Sequence, residues 1–500
     1  MKLNVFNIKA YGAAGDGISK DTAAVQAAIN ACAEAGGGTV YIPPGRFLVG
    51  TLLLKDHMTL WLEAGAVLLS STDKEDFYFA EIYSNCANST MYPGLLYGKN
   101  VSNITIAGRG CMDGQDQAFW EAKEAIGEGW NSTPARYVPK EWRPMMILLE
   151  DCSDIQIKDI QIRSSPVYSG WIIDCERVNL HGLQIINDFY GPNSDGFHFS
   201  SCRFVHIASC HFLTGDDSIA IDSNGQKNSQ HFTITDCTFE TSVNAFRIYT
   251  GLDPWMHKEI YSEISDIAIN NCSVANAAGV VNVTAENGLI ERINVSNITA
   301  RMEQEGTAIF IMTGKGTVRR IQLQQWTVRS NGACTVIGMP DDCIEDIVLS
   351  GIQFEVAAKR KLYGLEVPEP IPSYAHHHFA PYALYFRYAR KIRLNHVEVT
   401  WIGGSLEESW SAIDCKEIED LQIIGFSGKQ AGGDPSVPAI RFLQVQSGYL
   451  ANCRALPGTS VFLEVSGSKS GNIRLAGNDL SQAGNRLAVG EEVGQEIGIE

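Results

Sequence analysis

The chain has 500 residues, of which 45% are hydrophobic and 19% are charged, with a formal net charge of −18 and a pI near 5.1. This acidity disfavours nucleic acid and anionic membranes as partners, although a local basic patch would still allow an acidic polysaccharide to bind. The apolar content suffices for a continuous core, and no segment is long and apolar enough to cross a bilayer.

The N-terminus and the cysteines bear on the compartment. The first eleven residues carry polar or charged side chains every two or three positions and lack an apolar core of signal-peptide length. The chain as given is therefore expected to be cytoplasmic, or to be a mature form whose signal was removed. Thirteen cysteines form neither a disulfide framework nor paired zinc ligands. Cys152, Cys175 and Cys202 each precede a predicted strand, and we expect them to be buried and structural.

Residues 1–50 predict an N-terminal cap and a first coil. An N-cap signal at Asp21 and Thr22 is followed by strong helix formers over residues 23–32, and three glycines at 36–38 end the helix. A strand is predicted at residues 39–42. We expect the helix to cover the open end of a stack of strands, because such an end exposes strand edges and core.

Residues 51–425 are dominated by a repeat of short segments in which apolar and polar residues alternate. From Asp154 onward these segments start at intervals of 23, 27, 27, 35, 26, 28, 26, 45 and 29 residues. Alternation and β-branched content indicate strands, and a period of this length is typical of a solenoid. The sequence therefore predicts an all-β, right-handed parallel β-helix. Residues 426–500 are predicted to form its terminal coils and C-terminal cap within the same domain.

Two long interruptions of the repeat are rich in aromatic residues. Residues 115–145 contain Trp120, Trp130 and Tyr137, and residues 357–387 contain three consecutive histidines at 376–378. Insertions in repeat proteins gather on the binding face, so these aromatics either stack on sugar rings or pack within their own loops. Adjacent strand histidines point to opposite sides, so no metal site is expected there.

Three aspartates are the strongest chemical feature. Asp195 lies in Asn-Ser-Asp-Gly, and Asp216 and Asp217 lie in Gly-Asp-Asp-Ser, 21 and 22 residues later. One turn of the repeat separates them, so folding should stack them on neighbouring coils about 4.8 Å apart. Such stacking predicts carboxyl groups roughly 5–10 Å apart, which includes the 6.5–9.5 Å of inverting glycosidases. Asn, Asp and Gly are common turn residues, but adjacent acids repel each other, which favours a catalytic interpretation.

Several motifs carry a family resemblance. They are the segments 108–114, 143–144, 164–166, 193–196 and 215–221. Over roughly residues 6–425 the chain resembles glycoside hydrolase family 28, the polygalacturonases and rhamnogalacturonases. The resemblance implies a β-helix that hydrolyses a pectic or related polysaccharide or oligosaccharide with inversion, and with neither cofactor nor metal. It also implies that Asp216 is the general acid and that Asp195 and Asp217 activate water.

The sequence departs from the family pattern at two cationic motifs. The family's Gly-His-Gly falls on residues 242–247, which contain no histidine, and its Arg-Ile-Lys falls near residue 281, where Val-Val-Asn stands. A uronic acid substrate needs a cationic partner, ideally a forked arginine. We therefore consider other residues as substrate-binding candidates, namely Arg247, Tyr249, His257, His198 and Asn193.

Other functions stay open at this stage. A β-helix polysaccharide lyase would need a strong base and calcium, which Asp216 and Asp217 could bind. A non-catalytic carbohydrate-binding β-helix would bind sugar without turnover. If the aromatic insertions block one end of the groove, hydrolysis would be exo-acting on short chains.

Overall fold

The computed structural model describes residues 4–82, 91–126, 133–224, 226–251, 262–304, 306–341, 344–357, 382–403, 410–493 and 497–499. These residues contain one α-helix, Thr22–Glu34, and three 3-10 turns, Ile8–Tyr11, Lys74–Asp76 and Asp116–Phe119. None of the helices in the described ranges has the length and apolar run that a membrane span requires. The chain divides into a first unit of residues 1–126, 134–247 and 253–268, and a second unit of residues 127–133, 248–252 and 269–500.

Strands make up most of the described chain. Up to residue 276 they are Val5–Asn7, Asp16–Lys20, Gly38–Ile42, Gly45–Val49, Leu52–Leu53, Met58–Leu62, Ala66–Ser70, Phe79–Glu81, Met91–Lys99, Ser102–Gly108, Cys111–Asp113, Trp120–Ile126, Thr133–Pro139, Met145–Glu150, Ser153–Lys158, Gln161–Arg163, Gly170–Ile173, Glu176–His181, Gln184–Ile186, Phe197–Ser200, Arg203–Ala208, His211–Thr214, Ile219–Asp222, Ser229–Thr235, Thr238–Thr241, Asn244–Thr250 and Glu263–Asn276. From residue 279 they are Gly279–Ala285, Leu289–Arg301, Thr307–Thr313, Thr317–Ser330, Gly332–Ile337, Ile344–Ala357, Leu384–Ile402, Ile413–Ile424, Ser427–Gly428, Pro438–Ala451, Arg454–Ala455, Thr459–Ser466, Gly471–Ala476, Ala483–Val489 and Ile497–Ile499.

The coils of the first unit each contain three short strands. One coil is Gly170–Ile173, Glu176–His181 and Gln184–Ile186, and each of these strands pairs in parallel with its counterpart in the next coil. Parallel strands joined by crossovers take the right-handed form in nearly all proteins. The predicted fold, a right-handed parallel β-helix, is confirmed.

Inward residues of successive coils form apolar ladders. Ile104, Ile155, Val178, Val205 and Phe232 occupy one such position in five coils, and all are at most 1% exposed. Burying each side chain contributes about 1.5–3 kcal/mol, so a charged residue at any rung would be strongly destabilising.

Cysteines form a second ladder beside the apolar one. Cys152, Cys175 and Cys202 are buried and free, and the backbone N–H of Cys152 donates to the Sγ of Cys175 at 3.3 Å. Burial raises the pKa of the Cys202 thiol. These contacts agree with the predicted structural role for the three cysteines.

A left-handed residue recurs at the same position in eleven repeat segments of the described chain. The backbone φ lies between 54° and 62° at Asn103, Asp154, Arg177, Phe204, His231, Asp266, Arg292, Arg320, Asp346, Lys391 and Asp420. Strand pairing steps over this point, because Ser102 lies opposite Ser153 and Ile104 lies opposite Ile155. The left-handed residue thus bulges and bends the strand. These are the same residues at which the repeat segments begin in the sequence.

The N-terminal helix covers strands of the first unit, as predicted. Val25, Ala28, Ile29 and Cys32 are its buried residues. The N-cap residue is Asp21, but its carboxylate accepts hydrogen bonds from the backbone N–H groups of Ala14 and Gly15, at 2.6 and 3.0 Å, rather than from the helix. The helix therefore starts where the N-cap pattern places it, although the capping contact itself is absent.

The second unit has longer strands than the first. Leu289–Arg301, Thr317–Ser330 and Ile344–Ala357 each run through a bend that separates two strands in the earlier coils. Ile293 pairs with Ile321, which pairs with Ile347, so the apolar ladder persists. The domain boundaries at residues 50 and 425 stay predictions.

Candidate active site

Asp195 and Asp217 occupy equivalent positions on neighbouring coils of the first unit. The strands that follow them, Phe197–Ser200 and Ile219–Asp222, pair in parallel with Phe197 opposite Ile219. The backbone N–H of Gly196 donates to the carbonyl oxygen of Asp217 at 3.0 Å. The repeat spacing therefore predicted this stacking correctly.

Glycines in both aspartate motifs are required by close contacts. A Cβ atom on Gly196 would lie 2.2 Å from the carbonyl oxygen of Ser218, and one on Gly215 would lie 2.4 Å from Ser194 Oγ. Neither distance is possible for a real side chain. The glycines thus let the two turns pack closely enough to bring the acids together.

The three carboxylates converge more than stacking predicts. One oxygen each of Asp195, Asp216 and Asp217 lies within 4.8 Å of the others. Asp195 is 4% exposed, and Asp216 and Asp217 are partly buried. The predicted range of 5–10 Å depended on side-chain direction, and the nearest oxygens lie below its lower end. The separation alone therefore does not distinguish inversion from retention.

Crowding and burial change the proton affinity of two of these acids. Burial, with the charges of Asp216 and Asp217, raises the pKa of Asp195 well above its usual value. Burial and the charge of Asp216 raise the pKa of Asp217 to about 6, although Arg247 and a hydrogen bond from Asn244 oppose this shift. The cluster therefore retains a proton at mildly acidic pH, as a group that transfers protons must.

An arginine that the sequence analysis did not identify binds the predicted general acid. Nη1 of Arg136 lies 2.9 Å from Oδ2 of Asp216, and Nη2 donates to Oγ of Ser242 at 3.1 Å. Both charged side chains are largely buried, with 10% and 17% exposure. Arg136 belongs to the insertion at 115–145. The insertion was recognised in the sequence, but no pattern marked this residue within it.

The insertion is attached to the turn that precedes Asp195. The backbone N–H of Tyr137 donates to the carbonyl oxygen of Tyr190 at 3.1 Å, and the rings of Trp120 and Tyr137 stack with centroids 5.3 Å apart. Lys123 Nζ lies 3.6 Å from the centroid of the Tyr190 ring. Trp120 is buried, so it packs within the protein. Trp130 and the histidines at 376–378 lie outside the described residues.

Arg143 fixes the position of Asn193. Nη1 of Arg143 donates to the carbonyl oxygens of Pro192 and Pro166, at 2.5 and 3.2 Å, and Nη2 donates to Oδ1 of Asn193 at 3.1 Å. Asn193 is exposed and has a left-handed φ of 52°. Arg143 thus supports the turn that delivers Asp195, and its own pKa is lowered by burial.

His198 lies beside Asp195 within a buried polar network. Its Nε2 is 2.5 Å from Oδ2 of Asp222, and its Nδ1 is 3.8 Å from Oδ2 of Asp195. Ser200 Oγ donates to the same Asp222 oxygen at 2.8 Å and accepts from Trp171 Nε1 at 2.9 Å. His198 is 6% exposed, so this geometry suits positioning of Asp195 better than direct contact with sugar.

Polar side chains occupy the stretch where the family histidine was expected. Ser242 Oγ donates to the carbonyl oxygen of Gly215 at 2.7 Å, and Nδ2 of Asn244 donates to Oδ1 of Asp217 at 2.7 Å. Arg247 is partly buried on the same strand, and its charge lowers the pKa of Asp217. Tyr249 follows on that strand and is 7% exposed, while His257 lies outside the described residues.

The same three aspartates form a possible cation site, since each offers an oxygen. Calcium takes six to eight oxygen ligands. Arg136 already places a positive charge against Asp216, which would compete with a bound cation. The arrangement therefore suits proton transfer better than the calcium chemistry of a lyase.

Comparison with known proteins agrees with this geometry. Residues 80–336, just over half of the chain, match the family "Glycosyl hydrolases family 28", and residues 5–74 match "Rhamnogalacturonase A/epimerase, pectate lyase-like". A probable polygalacturonase of Vitis vinifera is 24% identical over 70% of this chain and 74% of its own length. An exo-poly-alpha-D-galacturonosidase of Dickeya chrysanthemi is 28% identical over 58% of this chain and 51% of its own length, so the chain spans about half of that enzyme.

Two solved structures share the fold. The family 28 exopolygalacturonase of Yersinia enterocolitica superposes with a TM-score of 0.65 over 84% of this chain and 78% of that one, at 19% identity. The hyperthermoactive exopolygalacturonase of Thermotoga maritima gives a TM-score of 0.58 over 71% of this chain and 88% of that one, at 20% identity. On its sequence match and its fold, the chain belongs to glycosyl hydrolases family 28 and is a glycoside hydrolase.

Proposed function

We propose that this enzyme hydrolyses the glycosidic bonds of oligogalacturonides or polygalacturonate, acting from the chain end and with inversion. The observation that carries the proposal is the convergence of Asp195, Asp216 and Asp217 within 4.8 Å on neighbouring coils. Three relatives of this chain, from Vitis, Dickeya and Yersinia, have names that specify action on polygalacturonate.

The chemistry divides among the three acids. Asp216 protonates the glycosidic oxygen as the bond to the anomeric carbon breaks, and the leaving sugar departs with that proton. Asp195 and Asp217 accept a proton from a water molecule, whose oxygen attacks the anomeric carbon from the opposite face. One water is consumed, and the configuration at the anomeric carbon inverts.

Cationic side chains near the acids favour a uronic acid substrate. Arg136 contacts Asp216, and Arg247 is close enough for its charge to lower the pKa of Asp217. Both arginines place positive charge beside the acids, where it can attract an anionic sugar. Exo action is supported by the insertion, which brings Arg136 over the acid cluster.

A product analysis tests the proposal. Trigalacturonate and polygalacturonate are incubated with wild type and with Asp216→Asn, and the products are followed by chromatography and by proton NMR of the new anomeric centre. We expect monogalacturonate of inverted configuration from wild type, and about a 1,000-fold lower rate from the variant.

Other products would contradict individual parts of the proposal. Retained configuration would contradict inversion, and mixed oligomers from polygalacturonate would contradict exo action. An unsaturated product that absorbs ultraviolet light and is lost with a chelator would favour a lyase. Turnover of neutral glycans without turnover of galacturonans would overturn the substrate class, and sugar binding without any turnover would leave only a binding role.

A further inference from the structure

We propose that Arg136 is the receptor for the substrate's carboxylate, and that it exchanges Asp216 for that carboxylate when the substrate binds. This inference rests on the proposed function, because it requires a uronic acid as substrate. It assigns a specificity role to a residue of the insertion rather than of the coils. It also gives the enzyme a means of releasing its general acid only when an anionic sugar is present.

Asp216 and Arg136 form an ion pair that conflicts with the role of Asp216 as general acid. Asp216 must carry a proton in order to give it to the leaving oxygen, yet in this structure it forms a largely buried ion pair with Arg136 at 2.9 Å. A carboxylate held by a guanidinium is ionised and is a poor proton donor. The reaction therefore requires that this ion pair open before the bond is broken.

The hydrogen bonds of Arg136 favour the exchange of Asp216 for a substrate carboxylate. Its two terminal nitrogens bond to different partners, Asp216 and the neutral Ser242 hydroxyl. A planar guanidinium can instead bind both oxygens of one carboxylate as a fork. A uronic acid beside the cleavage site thus offers Arg136 two charge-assisted hydrogen bonds in place of the one that it makes with Asp216.

The surroundings of Asp216 determine what happens after the exchange. Asp217 is its neighbour in sequence, Asp195 lies across on the preceding coil, and both have an oxygen within 4.8 Å of it. Among the described residues, Arg136, Arg143 and Arg247 bring positive charge to this group of acids, and His198 lies beside it. Moving Arg136 to the substrate leaves three acids beside a new anion, so the group of acids takes up one proton from solvent.

The exchange predicts which sugars the enzyme accepts. A neutral sugar has no carboxylate with which to bind Arg136, so the ion pair between Arg136 and Asp216 stays closed. Galacturonate therefore both binds to the site and activates it. The main chain of the insertion supports Arg136 through the Tyr137–Tyr190 hydrogen bond, which lets the side chain change partners while its backbone stays in place.

The test combines kinetics with calorimetry on the full-length enzyme. Three variants are compared with wild type: Arg136→Ala removes the charge, Arg136→Lys keeps the charge but removes the fork, and Lys140→Ala is the control. Lys140 is a cation of the same insertion, and its Nζ donates to the carbonyl oxygen of Ala118 at 2.8 Å. Thermal unfolding by circular dichroism establishes that each variant is folded.

Kinetics with trigalacturonate should separate the variants. Loss of one partner of a buried, hydrogen-bonded charge pair weakens binding by about 30-fold or more. We expect KM to rise by at least that factor in Arg136→Ala and by less in Arg136→Lys, and to stay at the wild-type value in Lys140→Ala. The basic limb of the pH profile of kcat/KM should move to higher pH in Arg136→Ala, because the general acid no longer has to be released from Arg136 by the substrate.

Calorimetry measures the proton directly. D-galacturonate, the expected product, is titrated into each protein in two buffers of different ionisation enthalpy, with D-galactose as the neutral probe. Wild type and Lys140→Ala should take up close to one proton per galacturonate bound and none with galactose, whereas Arg136→Ala should take up none.

The outcomes distinguish this inference from the proposed function. If wild type hydrolyses trigalacturonate but Arg136→Ala keeps its KM within threefold and its proton uptake, the exchange is overturned while the function stands. If Arg136→Ala lowers only kcat and its pH profile is unmoved, Arg136 is merely structural and the inference is likewise overturned. If wild type hydrolyses no galacturonan, the proposed function itself fails.

Discussion

Buried acids occur in both units of the molecule, and their surroundings differ sharply. In the second unit Glu291 is 4% exposed and binds three arginines, with Arg319 Nε at 2.6 Å, Arg320 Nη1 at 3.1 Å and Arg292 in contact as well. In the first unit three carboxylates converge, and Asp216 among them forms an ion pair with Arg136. The first arrangement surrounds one acid with arginines, and the second brings three acids close to one another.

The difference separates a structural acid from a reactive one. A carboxylate surrounded by guanidinium groups stays ionised and lowers the free energy of the fold. Buried carboxylates that lie close together retain protons, because burial and then the charges of the neighbouring acids raise the pKa of Asp195 and of Asp217. Substitutions in the two places should therefore have opposite consequences for activity and stability.

The largest effect is expected for Asp216→Asn. The amide keeps the shape of the side chain but cannot donate the proton that the leaving oxygen requires, so kcat should fall by about 1,000-fold. The free energy of unfolding should change little, because Arg136 loses a charge partner while the cluster loses a repelling charge. Initial rates on trigalacturonate and urea unfolding measure the two quantities, and undiminished turnover would remove Asp216 from the role of acid.

Glu291→Gln should show the reverse pattern. The substitution leaves three arginines close together without their anion, which should lower the free energy of unfolding by about 2–3 kcal/mol. This loss is smaller than that expected for a fully buried ion pair, because the arginines are partly exposed. We expect kcat/KM to match wild type. A large loss of activity with unchanged unfolding would show that the distinction between the two groups of acids is wrong.

Asp217→Asn tests the pH dependence of stability. The folded pKa of Asp217 is raised to about 6, so the folded state binds its proton more tightly than the unfolded state does. Wild type should therefore lose stability as pH rises from about 4 to 6, and the variant should lack this part of the loss, on the order of 2 kcal/mol. Urea unfolding at pH 4 and pH 7 gives the difference, and parallel curves for the two proteins would contradict the assigned pKa shift.

The smallest effect is expected for Asp222→Asn. It removes the charge that lies 2.5 Å from His198 but keeps the shape of the side chain, so His198 should orient Asp195 less well. A hydrogen bond to a charged group is worth about 1.5–3 kcal/mol, which predicts at least a tenfold loss of kcat with KM nearly unchanged. Asp154→Asn, at an exposed ion pair with Arg177, is the control. A change in KM alone would indicate sugar binding by this network instead.

The repeat made much of this structure predictable. The repeat segments that begin at Asp154, Arg177 and Phe204 in the sequence lie in strands of the structure. The 22-residue interval between Asp195 and Asp217 corresponds to one coil. Periodicity fixes which residues stack, because each coil repeats the path of the one before it. The N-terminal helix was predictable for the different reason that its signals are local in sequence.

Contacts that do not follow the repeat, such as those between an insertion and a coil, were not predictable from the sequence. Arg136 meets Asp216 across 80 residues of chain, and no periodic pattern links an insertion to a coil. The convergence of the carboxylates depends on side-chain directions, which a coil spacing of about 4.8 Å does not determine. The pairing of His198 with Asp222 is a diagonal contact, since the residue opposite His198 in register is Ala220.

The left-handed residues at the start of the repeat segments are positions where substitution could stabilise the enzyme. A non-glycine residue in this conformation costs about 1–2 kcal/mol, and asparagine tolerates it better than arginine, phenylalanine or lysine do. Phe204 and Lys391 adopt it with φ of 56° and 54°, and Phe204 is exposed. Because the same geometry returns in these repeat segments, one favourable replacement can be copied from coil to coil, and engineered heat tolerance could accumulate without a change at the catalytic acids.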